Sequence, residues 1–189
     1  MKVILFMATS INSIIATEDY SEDFLNGTWK YFVELGSKYG CVIWGRTTYQ
    51  LVNKMPFKYT DSIKHIKKIV ISSNPKFPLG PKSQLFLNPE SALKGLKEQG
   101  YKKVILSGGS KINSSFAKSN LIDEVILLVD SIIVGKGIPL FSPENFQLKL
   151  KPLRTEIKDG HLVYTRYKVI KSNCMRPPII ALLGYLING

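Results

Sequence analysis

The chain has 189 residues, enough for one domain with a sizeable core, and its 44% hydrophobic and 21% charged residues exclude a disordered or fibrous protein. Its formal net charge is +12, yet only four of its 26 basic residues are arginine and like charges never run together in long blocks. Scattered lysine pairs such as Lys67-Lys68 and Lys102-Lys103, with no basic-aromatic stacking motif, read as a solvated surface rather than a nucleic-acid face.

Residues 3–8 are continuously apolar, as a buried strand is. This opening run holds only about seven apolar positions, too few for a membrane span, and it lacks a signal-peptide cleavage pattern. A cytoplasmic protein without membrane association is expected. Residues 24–39 read as a helix, with Phe24, Trp29, Phe32, Val33 and Leu35 on its apolar face. A strand over 41–44, a short helix over 47–52 and a strand over 68–72 follow. Pro75, Pro78, Gly80 and Pro81 mark a loop. After a short strand over 85–87, Pro89 opens a helix that runs to residue 99 and is stopped by Gly100. A strand over 103–106 and a helix over 111–118 complete this alternation.

After Asn120 the pattern changes. Residues 121–134 are strand-rich, and Gly135-Lys136-Gly137 reads as a turn. Phe146, Leu148 and Leu150 alternate with Gln147, Lys149 and Lys151, as in a half-exposed strand over 146–153. Asp159-Gly160 signals a tight turn into a last strand over 161–170. The expected fold is α/β: a single mixed, mostly parallel sheet with flanking helices and a C-terminal antiparallel hairpin. The domain is expected over residues 1–171. Residues 172–189, with Pro177-Pro178 and an apolar run after them, read as an extension outside it.

Cys41 and Cys174 are the only cysteines, and Cys41 lies in an apolar run, as a buried small hydrophobe does. There is no CxxC, and His65 and His161 lack metal-ligand spacing, so no metal is expected.

Three segments carry the chemical signal. Leu106-Ser107-Gly108-Gly109-Ser110 turns from a strand into a helix, and such a turn presents backbone N–H groups at the positive end of the helix, where phosphates bind. Gly45-Arg46-Thr47-Thr48 also follows a strand and opens a helix, and Ser72-Ser73-Asn74 ends a third strand. Three such sites in one small α/β chain suggest a dinucleotide.

In this order and spacing the segments resemble the dihydrofolate reductase-like superfamily, and especially the branch containing the reductase domain of bacterial riboflavin biosynthesis, the RibD C-terminal type. The resemblance covers about residues 1–171. Ala8-Thr9-Ser10-Ile11-Asn12-Ser13-Ile14-Ile15-Ala16 resembles the first strand and its loop, and Gly45-Arg46-Thr47-Thr48-Tyr49 the G-R-x-T-[YW] segment. Ile71-Ser72-Ser73 resembles the adenosine-side strand end, and Ser107-Gly108-Gly109-Ser110 the glycine turn. Leu121-Ile122-Asp123-Glu124 with Gly135-Lys136-Gly137-Ile138-Pro139-Leu140-Phe141 is the pair most specific to this branch.

The resemblance implies an NADPH-dependent reductase that transfers a hydride to a small heterocycle, pterin-like or ribosylaminopyrimidine-like, and a homodimer. It implies that the backbones of Ala8 and Ile15 touch the nicotinamide. Gly45, Arg46, Thr47 and Thr48 then bind the pyrophosphate, with Gly108, Gly109, Ser110 and Lys111 cradling it from the other side. Ser72 and Ser73 fall near the adenosine ribose and its 2′-phosphate. Asp123-Glu124 reads as a strand-positioning pair, and residues 135–141 as a fold and dimer element. No zinc-deaminase motif accompanies the domain.

The chain departs from the family pattern beside the nicotinamide. Relatives carry Asp-Gly where this chain has Asn12-Ser13, and glycine permits backbone geometry that serine resists. Folate-reducing relatives place a carboxylate on the first helix; the nearest acids here are Glu22 and Asp23, which also suit a helix N-terminus. Asn12 and Asp23 are therefore the candidate catalytic residues. Two other readings stay open. One is a non-catalytic nucleotide-binding protein of the same fold, favoured by Asn12-Ser13. The other is a basic nucleic-acid-associated protein.

Overall fold

The computed structural model describes residues 1–25 and 27–171. The expected extension over 172–189, and Cys174 within it, lie outside the described residues. Ten strands and five helices follow in the order β1 (Lys2–Ser10), β2 (Ile14–Ala16), α1 (Trp29–Tyr39), β3 (Cys41–Gly45), α2 (Arg46–Asn53), α3 (Phe57–Ser62), β4 (Lys67–Ile71), β5 (Ser83–Phe86), α4 (Pro89–Glu98), β6 (Lys103–Leu106), α5 (Ser110–Lys118), β7 (Glu124–Asp130), β8 (Ile138–Pro139), β9 (Lys149–Lys158) and β10 (Leu162–Ile170).

Eight strands form one mixed sheet in the order β5-β4-β3-β6-β1-β7-β10-β9. The pairs from β5 across to β7 are parallel, and β10 runs antiparallel to both β7 and β9. The sheet is thus mostly parallel with a C-terminal hairpin, as the alternation of elements predicts. A second, two-stranded sheet pairs β2 with β8.

Helices cover both faces, so the central strands are apolar on both sides rather than alternating. On one face Val3, Leu5 and Met7 of β1 join Leu96 of α4 and Phe116 of α5. On the other, Ile4 and Phe6 join Phe32 of α1 and Tyr49 and Val52 of α2. Cys41 is fully buried, and burial pushes its thiol up to about 12, which leaves it an inert core residue.

Several boundaries differ from the sequence expectation. The first helix begins at Trp29, not at 24; residues 17–25 make turns held by Thr17, whose hydroxyl donates to the Ser21 carbonyl. Phe146 and Leu148 precede β9 instead of starting it, because Phe146 packs edge-on against Phe141 at 5.2 Å between ring centroids. The strand-rich run over 121–134 contributes only β7. Helix α3, which carries no buried residue, has no apolar period to announce it.

Candidate active site

The strand order reverses between β3 and β6. From β3 the chain moves outward to β4 and β5, and from β6 it crosses to the other side of β1. In open α/β sheets a crevice forms at such a reversal, outside the carboxyl ends of the strands. The two glycine turns meet there. Gly45 N donates to Gly108 O at 2.9 Å, and Ser107 N donates to Ile43 O at 3.1 Å. The Gly108–Gly109 peptide is cis.

Close approach explains the residue types. Gly108 sits at φ +89°, a conformation side chains resist, and a Cβ there would stand 3.4 Å from Met7 Cε. A Cβ on Gly109 would stand 3.3 Å from Thr48 Oγ1, and one on Gly45 only 2.8 Å from Ile112 Cγ1. The turns before α2 and α5 are therefore packed directly against each other, with the Thr48 hydroxyl over Gly109.

Both helices begin open. Their N-caps, Gly45 and Gly109, have extended backbones and no side chain to accept from the first N–H groups, and neither first turn carries an acid. Arg46 and Lys111 are exposed beside these ends and make no ion pair among the described residues. Uncompensated N–H groups, two cations and the Thr47 and Thr48 hydroxyls form a donor set with no acceptor, which is the chemistry a pyrophosphate requires.

The remaining residues of the expected cradle divide. The Ser110 hydroxyl is buried and accepts from Ser142 Oγ at 3.0 Å, so its side chain anchors the 142 segment while its backbone opens α5. Ser72 ends β4 buried, its Oγ accepting from Asn74 N at 3.1 Å in a turn. Ser73 beside it is exposed.

Directly below the crevice lies a cavity of about 80 Å³. Ala8, Ile15, Thr48 and Ser107 line it where it meets the glycine turns. Phe6, Trp29, Phe32 and Trp44 form its aromatic wall, with Phe32 stacked on Trp44 at 5.8 Å and against Trp29 at 5.1 Å between centroids. Glu22 also lines it. Glu22 keeps a large part of its surface exposed at the mouth, but its surroundings strip water from the carboxylate and raise its pKa from 4.5 to about 7. Glu22 and Asp23 lie in the loop before α1, six or more positions ahead of Trp29, so neither acts as a helix N-terminal acid. Asp23 is exposed and is not among the residues lining the cavity.

Asn12 points elsewhere. Its Oδ1 accepts from Ser10 Oγ at 2.8 Å and from Val134 N at 3.1 Å, and its Nδ2 donates to Val134 O at 2.7 Å. Ser13 takes the left-handed backbone, φ +62°, that glycine would occupy more easily. The Asn12-Ser13 pair thus keeps the tight turn. Residues 135–141 hold the other side of it: Leu140 N donates to Ser13 O at 2.8 Å, and a side chain at Gly137 would collide with the Ala16 carbonyl oxygen. This clamp sets Ile15 against the cavity.

The sequence reading missed two groups. The aromatic wall reads as ordinary core in sequence, because aromatic residues at helix and strand spacing usually are. Asn113 and Ser114, buried on α5, donate to the Leu140 and Ser142 carbonyls at 2.9 and 2.8 Å. Their signal was available: polar residues at 110, 113 and 114 share one helix face with buried Phe116 and Ala117 nearby. Asp123 and Glu124 do structural work, Asp123 accepting from Val3 N at 2.8 Å and Glu124 pairing with Lys2 and Arg166. No cluster that could hold a metal occurs among the described residues.

A mostly parallel sheet with this strand order, a glycine crevice at its switch point and a C-terminal antiparallel hairpin defines a dihydrofolate reductase-like scaffold. The chain belongs to the RibD C-terminal domain family, whose sequence model matches residues 1–164. It is similar to the uncharacterized protein YwjB of Bacillus subtilis (strain 168), at 28% identity over 178 residues, 88% of this chain and 97% of that one. Solved structures share the fold. A Shewanella sp. PV-4 protein, whose name links it to riboflavin biosynthesis, matches with a TM-score of 0.76 at 24% identity over 90% of this chain and 100% of its own. The Thermotoga maritima diaminohydroxyphosphoribosylaminopyrimidine deaminase/5-amino-6-(5-phosphoribosylamino)uracil reductase matches with a TM-score of 0.69 at 20% identity, over 89% of this chain and 56% of that one.

Proposed function

We propose that this protein is a nicotinamide-dependent reductase acting on a small heterocycle, with NADPH as its cofactor. One observation carries the reading: a donor-only crevice, made by two open helix ends, runs directly into an apolar cavity through Ala8, Ile15, Thr48 and Ser107. The crevice suits a pyrophosphate, and the cavity suits two flat rings held face to face with water excluded. When bound, the cofactor supplies the hydride; the chain's own groups bind and orient. Gly45, Arg46, Thr47 and Thr48 act on one side of the pyrophosphate, and Gly108, Gly109, the Ser110 backbone and Lys111 on the other. The Ala8 and Ile15 backbones lie along the nicotinamide. Ser72 shapes the turn that carries Ser73 toward the adenosine ribose, where a lysine-rich surface favours a 2′-phosphate.

The preserved turn at Asn12-Ser13 supports turnover rather than a binding-only role, since the clamp on Ile15 survives the loss of the family's Asp-Gly pair. Titration of the purified chain with NADPH and with NADH, followed by nicotinamide fluorescence, tests the reading. Tight NADPH binding and weaker NADH binding are expected. Absence of binding to either overturns it.

A further inference from the structure

The cavity has its own chemistry, and its meaning rests on the reductase reading above. Four aromatic rings make one wall, and among its described lining residues Glu22 is the sole charged group; no lysine or arginine is present. The cation nearest the wall in sequence, Lys30, is drawn away to Asp159 at 2.9 Å, a carboxylate that also accepts from Tyr31 Oη. Lys58 lies over the Tyr59 ring, 4.9 Å from its centroid.

We infer that this pocket takes a phosphate-free planar nitrogen heterocycle, seated against the aromatic wall with a ring N–H edge on Glu22, and discriminates against a phosphoribosylated ring. A phosphomonoester brings a charge of about −1.5 to −2, and moving it into a cavity without a cation leaves that charge unpaired. Glu22 adds repulsion. A flat ring with adjacent N–H groups instead gives the carboxylate two donors, and charge-assisted pairs of this kind are the strong ones. The phosphoribosylamino group in the name of the Thermotoga maritima enzyme is the chemistry this lining does not serve.

The full chain contains two tryptophans, Trp29 and Trp44, and both line the cavity, so their fluorescence reports its filling. Wild type and Glu22→Gln are titrated with a free pterin and with a phosphoribosylaminouracil, with NADPH binding followed separately by its own emission. The wild type is expected to bind the pterin at least about tenfold more tightly than the phosphorylated probe, a charged hydrogen bond being worth that much. Glu22→Gln loses about tenfold for the pterin and narrows the gap, while NADPH binding stays unchanged, which also shows that the variant folds. The inference is overturned if the phosphoribosylated probe binds as well as the pterin or better, if neither probe quenches the tryptophans, or if Glu22→Gln binds pterin like wild type. Loss of NADPH binding in the wild type would instead bring down the reductase reading itself.

Discussion

Helices α2, α4 and α5 each follow a parallel strand, yet they begin in two different ways. At α4 the chain satisfies itself: Asn88 Oδ1 accepts from Ser91 N at 2.8 Å, Pro89 occupies the first turn, and Glu90 faces the dipole. At α2 and α5 the cap is glycine, the first turn has no acid, and Arg46 and Lys111 add positive charge. The self-capped helix starts at the sheet edge, after β5; the open ones start at the switch point between β3 and β6. The contrast teaches where the molecule leaves donors for a partner from outside the chain. Uncapped ends are costly to bury alone and favourable beside an anion.

The comparison is broken most severely by making α5 resemble α4. Gly109→Asp is tolerated by the extended backbone at that position, but it puts a carboxylate in the crevice, 3.3 Å at its Cβ from Thr48 Oγ1. We expect NADPH affinity to fall by about a hundredfold or more, which is about 3 kcal/mol, with little change in the urea midpoint. Unchanged affinity would show that the α5 terminus takes no part in anion binding. Arg46→Ala is milder. Removing one charge-assisted contact costs about 1.5–3 kcal/mol, so binding should weaken at least about tenfold and lose part of its salt dependence. The converse variant, Asn88→Ala, should cost about 1 kcal/mol of stability in urea unfolding and leave NADPH affinity untouched. An affinity loss in Asn88→Ala would erase the distinction between the two kinds of helix start.

The elements of this contrast were legible in sequence because each is written locally. Gly45-Arg46-Thr47-Thr48 and Ser107-Gly108-Gly109-Ser110 follow apolar runs that can only be buried strands, and Asn88-Pro89 is a cap signal by residue type alone. The tight turn at Asp159-Gly160 was equally plain, and both residues take positive φ there. What escaped reading is what depends on distant partners. Strands β2 and β8 are three and two residues long, too short for any period, and exist because the 135–141 segment folds back over Ser13 and Ala16. Leu25 looked like helix surface after Phe24, whereas it is buried at the cavity. Glu22 carried no sequence signal for its environment, since Trp29, Phe32 and Trp44 reach it from two elements. Ser13 marks the limit of local reasoning: the residue resists the left-handed backbone, and the clamp from Leu140 and Asn12 imposes it anyway.

Glu22 gives the smallest effect and ties the open helix ends to the cavity below them. Burial against apolar walls raises its carboxyl from 4.5 to about 7. Below pH 4.5 the group is protonated in folded and unfolded chains alike, so it costs nothing. Between 4.5 and about 7 the unfolded chain releases the proton first, so stability falls as pH rises, and above about 7 the loss is complete. The exposure of Glu22 at the cavity mouth lets water screen much of this penalty, which keeps the effect below that of the Asn88 cap. Urea midpoints of wild type and Glu22→Gln, compared in steps across this range, should coincide in acid and separate toward neutrality, with the variant more stable. Parallel profiles would mean that the carboxylate is solvated after all. Thr48 and Ser107 line the same cavity as Glu22, so an anion held at the open ends of α2 and α5 further disfavours its ionisation. Saturating NADPH should therefore move the window in which the two profiles separate to higher pH, whereas no such movement should follow from Asn88→Ala, whose helix lies on the opposite face of the sheet.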